Sequence, residues 1–314
     1  MARKKSFSRK VKDEIFQVKP NNLCCYRAEL AAIIHLRGYI TVSDGKKILS
    51  IMTDSSSSAR YYFKLFKELL TINTMILYRK TNKVSGYNFL VQVSDQAAVK
   101  KVFDYLGVDK AEGWFISPKV NPGLIKNDCC RKSYLRGAFI AGGSVNDPKF
   151  DYHLEIFSEH EVYAETFIEL MGLYGINASL RSRKKGYYVY LKSFDAIMDF
   201  LKVIRAYTVL FRMEETRIMK SKKNEANRML NCDMANVGKT IDAAKKQMES
   251  IRTIQAHIGL DKLSPSLEMA AKARLYNREM PLKDLGETMD PPVSKSGMSY
   301  RMKALNRIAN KLSP

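Results

Sequence analysis

Acidic residues are the first shortage in this sequence: 32 Asp and Glu stand against 53 Lys and Arg in 314 residues, a net charge of +21. The imbalance is not confined to one tail, since residues 1–20 carry +5, 21–208 carry +8 and 209–314 carry +8. So large a positive field attracts polyanions, and phosphate contacts would supply salt-dependent affinity. Double-stranded DNA is therefore the expected partner, although a basic proteome would also colour solvated faces with lysine. Long apolar runs are missing too. No stretch of about eighteen apolar residues occurs, which argues against a membrane span, and the basic start MARKKSFSRKVKDEIF lacks the apolar run that secretion requires. Cysteine is sparse and unhelpfully spaced. Five residues, with Cys24-Cys25 and Cys129-Cys130 adjacent, make neither a CxxC metal pattern nor a disulfide framework. The expectation is no metal site, no cofactor and a reducing cytoplasm.

What the chain does have is 46% apolar content, enough for two or three domains, and an internal repeat. Leu30 to Gly38 (LAAIIHLRG) returns as Leu135 to Gly143 (LRGAFIAGG), and the cysteine pairs match at the same offset. Downstream, Leu49-Ser50-Ile51 matches Leu154-Glu155-Ile156, and Gly86-Tyr87 matches Gly186-Tyr187 after small slips. In each copy the pattern predicts a helix (23–37; 128–141), strands (47–53; 152–157) and an amphipathic helix (59–70; 162–173). Two alternating segments follow (74–78 with 87–93; 178–183 with 187–191), then a closing helix (96–106; 194–204). The unit is α-β-β-α-β-β-α, twice, in 21–110 and 127–208. Small residues at Ala31, Ala32, Gly137 and Ala138 would let the first helices pack side by side, leaving a saddle of antiparallel strands. Ahead of it, Phe7, Val11 and Ile15 recur after Ser6 and Ser8. Residues 1–20 read as a basic helix or arm with one buried stripe.

The repeat is similar to the LAGLIDADG homing endonucleases, a resemblance that implies a fold straddling duplex DNA. In that family the eighth motif residue is an acidic metal ligand at the foot of the helix; here those positions are Arg37 and Gly142. Neither can offer a side-chain oxygen to the cations that phosphodiester cleavage requires, and Arg37 would repel them. Asp44, Asp147 and Asp151 lie nearby, but their spacing fits turns. His35, at the sixth motif position, reads as a packed or interface histidine. The expectation is a non-enzyme without catalytic residues.

Residues 209–232 read as a charged, partly helical linker, and 233–314 as a helical domain. Met234, Val237, Ile241, Ala244, Met248, Ile251 and Ile258 form an apolar stripe ending at Gly259. Asn227, Arg228, Asn231, Asn236 and Lys239 are candidate phosphate contacts. Ser264-Pro265 opens another helix. Residues 281–309 then read as a helix-turn-helix: a short helix with Leu282, Leu285 and Met289, a break at Asp290-Pro291-Pro292-Val293, and a helix capped by Ser294. Met298, Met302, Leu305 and Ala309 would be its buried stripe. Lys295, Ser296, Gly297, Ser299, Tyr300, Arg301, Lys303 and Arg307 are the candidate DNA contacts. Ser296, Ser299 and Tyr300 would face bases or backbone, the four cations would neutralise phosphates, and Gly297 would allow close approach.

From SFSRKVKDEI through the doubled motif to Asn227-Arg228, Asn231, Ala235-Asn236, Ala243-Ala244, Leu285-Gly286 and SKSGMSYR (294–301), the whole chain resembles the WhiA family of bacterial transcription regulators. Pro281 stands where its members often have serine. The resemblance implies a degenerate homing-endonuclease domain tethered to a helix-turn-helix like that of sigma factor region four. It also implies a role in cell division, chromosome segregation and sporulation. The fold class is thus α+β followed by an all-α domain. The protein would be cytoplasmic and nucleoid-associated, a monomer on promoter DNA, with a second regulator or RNA polymerase as a candidate partner. A protein- or RNA-binding scaffold, or an active endonuclease, are the alternative readings.

Overall fold

Two helices that are almost wholly buried set the architecture of the first half of the chain. The computed structural model describes residues 6–20, 22–80, 86–106, 116 and 119–312. Residues 1–5 of the expected arm and residues 21, 81–85 and 107–110 of the first repeat lie outside that set. The elements of the first copy are α1 (Phe7–Ile15), α2 (Leu23–Arg37), β1 (Gly38–Ser43), β2 (Lys46–Thr53), α3 (Ser56–Leu70), β3 (Met75–Lys80), β4 (Tyr87–Val93) and α4 (Gln96–Leu106). After a short 3-10 turn at Pro122–Leu124 come α5 (Asp128–Gly142), β5 (Gly143–Val145), β6 (Leu154–Ser158), α6 (Glu161–Gly172), β7 (Ser179–Arg183), β8 (Gly186–Leu191) and α7 (Phe194–Val203). The sequence pattern located these elements to within a few residues. It counted a strand after each first helix without assigning it residues, and the structure places those strands directly at Gly38 and Gly143.

Each copy builds a four-stranded antiparallel sheet with the same order, β1-β2-β4-β3 and β5-β6-β8-β7. Leu49 and Ile51 pair with Val93 and Val91, and Leu154 and Ile156 with Leu191 and Val189. All eight side chains are buried. This register makes Val93 and Leu191 equivalent, so the match of Tyr87 with Tyr187 is two residues out. The reason is the hairpin: six residues separate the paired Lys80 and Tyr87, but two separate Arg183 and Gly186.

Helices α2 and α5 lie against each other, with Ala31, Ala32 and Ala138 fully buried and Gly137 seated on the Ala32 methyl and the Glu29 carbonyl. Each large apolar side chain buried in this core contributes roughly 1.5–3 kcal/mol. The interface is not wholly apolar. The Glu29 carboxylate, fully buried, accepts from Arg136 Nε at 2.9 Å and Arg136 Nη2, and from the Tyr61 hydroxyl; Arg136 Nη2 also donates to Ser133 Oγ at 3.1 Å. One residue of each repeat thus holds the other's charge.

The N-terminal helix is built into the same core. Ser6 caps it by accepting from Arg9 N, Val11 and Ile15 are buried, and Ser8 Oγ bridges the Val145 N–H and carbonyl at 2.8 and 2.7 Å. Its Glu14 carboxylate accepts from Thr208 N and Val209 N at 2.6 and 3.0 Å. It therefore supplies the cap that Ala206 cannot give to the next helix.

That helix, α8 (Tyr207–His257), runs unbroken for 51 residues. It is followed by α9 (Pro265–Tyr276), α10 (Leu282–Glu287) and α11 (Lys295–Leu312). The chain divides into two compact units, Met1–Ile218 and Met219–Pro314. The segment 209–232, read as a linker, is helical throughout, because it contains neither glycine nor proline to interrupt good helix formers. The apolar stripe is also shorter than expected. Met234 and Val237 are exposed, as is Ile258; of the stripe, Ala244 and Ile251 are buried, and α8 meets the second core through Ile251 and Ile254. The last three helices close that core with Ala270, Ala271, Leu285, Met289, Met298, Met302, Leu305 and Ala309. Arg274, 1% exposed, donates to the Asn277 and Met280 carbonyls and ties down the turn before α10. Pro281 precedes α10 in an extended conformation and provides no side-chain cap.

Candidate nucleic-acid interface

The second unit places a short helix and a longer one around a tight connection. Helix α11 begins after Ser294, whose Oγ accepts from Gly297 N at 3.2 Å and contacts Ser296 Oγ at 2.9 Å. Met298, Met302, Leu305 and Ala309 form its buried stripe. Spacing of four, three and four then puts Ser296, Tyr300, Lys303 and Arg307 on one outward line. Tyr300 is 74% exposed. Lys295 is exposed beside them, while Ser299 and Arg301 are half-buried at the margins. Gly297 has a packing task that the sequence did not announce. A Cβ there would lie 2.7 Å from Val293 Cγ1, so the missing side chain also makes room for the connection. Val293 N in turn donates to the Gly286 carbonyl at 2.9 Å.

The five candidate phosphate contacts on α8, Asn227, Arg228, Asn231, Asn236 and Lys239, are all exposed. At about 100° per residue they spread over roughly half the helix circumference, with Asn227 at the edge that adjoins Met234, two turns further on. They make a broad polar side, not a pocket. Thr240 Oγ1 is tied back to the Asn236 carbonyl at 2.9 Å.

At the foot of the two core helices, where an endonuclease would hold cations, the structure has a cavity of about 600 Å³ lined by Arg9, Lys12, Arg37, Asp54, Gly142 and Glu155 among others. Arg37 Nε donates to the Ala141 carbonyl at 2.9 Å, and its guanidinium lies over the Phe157 ring at 5.9 Å. Burial pushes the Lys12 ammonium down to about 8, Arg37 and Arg9 add to the fall, and Asp54 opposes it. Three cations against two carboxylates disfavour a divalent metal there. The nearby aspartates serve turns. Asp44, at φ 51°, sits in the β1–β2 hairpin, and Asp147 Oδ1 accepts from Lys149 N at 3.0 Å; Asp151 is exposed. His35 is packed at the helix interface, with Nδ1 hydrogen-bonded to the Tyr134 hydroxyl at 2.9 Å and its ring stacked 4.8 Å from Tyr163. Burial lowers its pKa to about 4.

The strand faces turned away from the helices carry groups that the sequence reading did not single out. On the second sheet, Arg181, Tyr188, Tyr190 and Arg183 share the outer face, with the Arg183 guanidinium 4.7 Å above Tyr188 and Lys192 Nζ 5.4 Å above Tyr190. Arg79 holds a similar place on the first. The run RSRKKG (181–186) was the available signal, with exposed Lys184 and Lys185 in the hairpin. Cations interleaved with aromatic faces suit a polyanion.

Sequence models of one family cover most of the chain. The WhiA N-terminal LAGLIDADG-like domain matches residues 23–108, the WhiA LAGLIDADG-like domain residues 131–223, and the WhiA C-terminal HTH domain residues 226–309. The chain belongs to the WhiA family. A relative from Desulforamulus reducens, named "Probable cell division protein WhiA", is 39% identical over 98% of this chain and 96% of its own. One of the same name from Staphylococcus haemolyticus is 40% identical over 98% and 97%. The crystal structure of full-length WhiA from Thermatoga maritima superposes with a TM-score of 0.60 at 23% identity, covering 99% of this chain and all 100% of that one. At that identity it speaks for the fold: a LAGLIDADG-like half followed by a helical half. The family's helix-turn-helix match takes in both the exposed line on α11 and the polar residues of α8. Among the described residues, no helix is long and apolar enough to cross a membrane.

Proposed function

We propose that this protein is a non-catalytic, sequence-specific DNA-binding regulator of transcription, acting in bacterial cell division, chromosome segregation and sporulation at the nucleoid. The observation that carries this reading is the exposed line Ser296, Tyr300, Lys303 and Arg307 on the second helix of the helix-turn-helix. Hydroxyl and phenol groups there can meet base edges or backbone while the cations neutralise phosphates. Lys295 and Arg301 add charge at its start. Asn227, Arg228, Asn231, Asn236 and Lys239 would meet phosphates along α8, and the outer sheet faces add sequence-independent grip. Both units belong to one chain, so each contact raises the effective concentration of the other. A monomer on promoter DNA, joined by a second regulator or RNA polymerase, completes the proposal.

Cleavage is disfavoured by the Arg37 guanidinium at the motif position and the cationic cavity around it. The deciding experiment pairs genome-wide occupancy with salt titrations of full-length protein on an enriched site. Discrete occupied sites are expected. Lys303→Ala should weaken all sequences alike and flatten the log-affinity against log-salt slope by about one, whereas Tyr300→Ala should cost the enriched site more than a random one. Occupancy without discrete sites would favour a scaffold, and magnesium-dependent nicking of a plasmid would restore the endonuclease.

A further inference from the structure

Cys24, Cys25, Cys129 and Cys130 come together although no stretch of sequence contains a metal motif. Each adjacent pair occupies the second and third positions of a core helix, α2 or α5, and side-by-side packing of the helices joins the pairs. Their four Sγ atoms all lie within 4.8 Å of one another, with Cys129 and Cys130 at 4.0 Å. Cys25 and Cys130 are buried and Cys24 and Cys129 half-buried. No pair is bonded as a disulfide. The spacing rule failed because it searches one segment for four ligands, whereas here each repeat brings two.

We propose that these four thiols form a structural site for one tetrahedral, thiophilic divalent cation of the zinc class. A tetrahedral sulfur site with bonds of about 2.3 Å sets its sulfurs about 3.8 Å apart. The observed cluster needs only small side-chain rotations to close on an ion. It is too tight for the four-iron cube that cysteines also hold, whose sulfurs stand further apart. The surroundings suit four thiolates around a dication, which together carry two negative charges. Both helices start at the cluster and neither Asn22 nor Asn127 gives a side-chain cap, so the partly positive helix ends face that charge; without an ion, burial pushes the Cys130 thiol up to about 12, so metal binding must release protons. Cys25 and Cys129 line a cavity of about 650 Å³ that gives an ion access, beside Lys132 and Arg136, which are already paired with Asp128 and Glu29. The site lies at the opposite end of the core helices from Arg37, roughly 18 Å away at 1.5 Å per residue. It would therefore clamp the two repeats together and take no part in phosphate chemistry.

The test uses full-length protein purified with a reductant and without chelator. Elemental analysis should give about one zinc per chain. Cobalt exchange should produce the sulfur-to-cobalt charge-transfer band and the intense visible bands of a tetrahedral thiolate site. Cys24→Ser and Cys129→Ser should each weaken cobalt binding by at least about tenfold, since even changes outside the ligand shell cost that much. Cys232→Ser, at the exposed fifth cysteine, should leave it unchanged. A measurement that needs no variant is thiol counting in the native protein, where the metal-loaded form should expose Cys232 alone and the stripped form should react further. Absent bands, bands indifferent to the cysteine variants, equal thiol counts before and after chelation, or a disulfide between the helices would each overturn the site.

Discussion

The Arg37 Nε atom donates to the Ala141 carbonyl at 2.9 Å, so a cation from one repeat sits on the last turn of the other repeat's core helix. The neighbouring motif position is closed as well, since a Cβ on Gly142 would lie 2.5 Å from the Phe157 carbonyl on β6. An acidic side chain cannot be restored there without moving the strand. Gly142→Asp is expected to cost about 1–3 kcal/mol by overpacking, and Arg37→Asp with Gly142→Asp should still give no magnesium-dependent rise in stability. Urea unfolding with and without magnesium checks this. A double variant as stable as the parent, and stabilised by magnesium, would contradict the argument.

His35 gives the fold an acid-sensitive point. Its folded pKa of about 4 lies below the ordinary histidine value of 6.5, so the unfolded chain binds the extra proton first as pH falls. Its share of stability is whole above pH 6.5 and is lost as pH falls towards 4. At pH 5 the linkage amounts to about 2 kcal/mol. His35→Gln keeps a polar partner for Tyr134 without titrating. The parent should therefore lose about 2 kcal/mol more than the variant between pH 7 and 5 in urea unfolding. Parallel losses would place the protonation elsewhere.

Both of these sites are announced by the sequence. Arg37, Gly142 and His35 could be placed because helical periodicity and the repeat fix which residues end a core helix. Likewise, the three-four spacing of Met298, Met302, Leu305 and Ala309 fixed the outward line of α11. What stayed hidden depends on contacts between segments far apart in sequence. The four thiols, the Glu29 to Arg136 pair and the Glu14 cap of α8 each join residues that no local pattern relates. The stripe through Met234 and Val237 misled for the same reason, since periodicity states that a face is apolar but not that anything covers it. The packing of Gly297 against Val293 is hidden in the same way.

The Glu29 to Arg136 pair makes a sharp prediction because both groups are buried. Removing one partner leaves an uncompensated charge out of water, at a cost of about 3–5 kcal/mol. Arg136→Met should fall in that range by denaturant titration. Adding Glu29→Gln should recover part of the loss, since the amide keeps an acceptor for Tyr61 while discarding the charge. A loss below about 1 kcal/mol for Arg136→Met would mean that water reaches the carboxylate.

Gly286 tests whether the connection between α10 and α11 sets the reading geometry. Val293 N donates to the Gly286 carbonyl, and the Val293 carbonyl lies where a Cβ on Gly286 would have to be. The hindrance is backbone against backbone, so no rotamer change relieves it. Gly286→Ala must push the connection away, which moves Ser294 and with it the start of α11. The expected outcome is a specific affinity lowered at least tenfold, with binding to random duplex almost unchanged, because phosphate contacts tolerate displacement and base contacts do not. Thermal unfolding should separate this from general damage, since the core of residues 1–218 contains no part of the affected packing. Equal losses on specific and random DNA would detach base reading from α11 and transfer it to the outer sheet faces around Arg181 and Arg183.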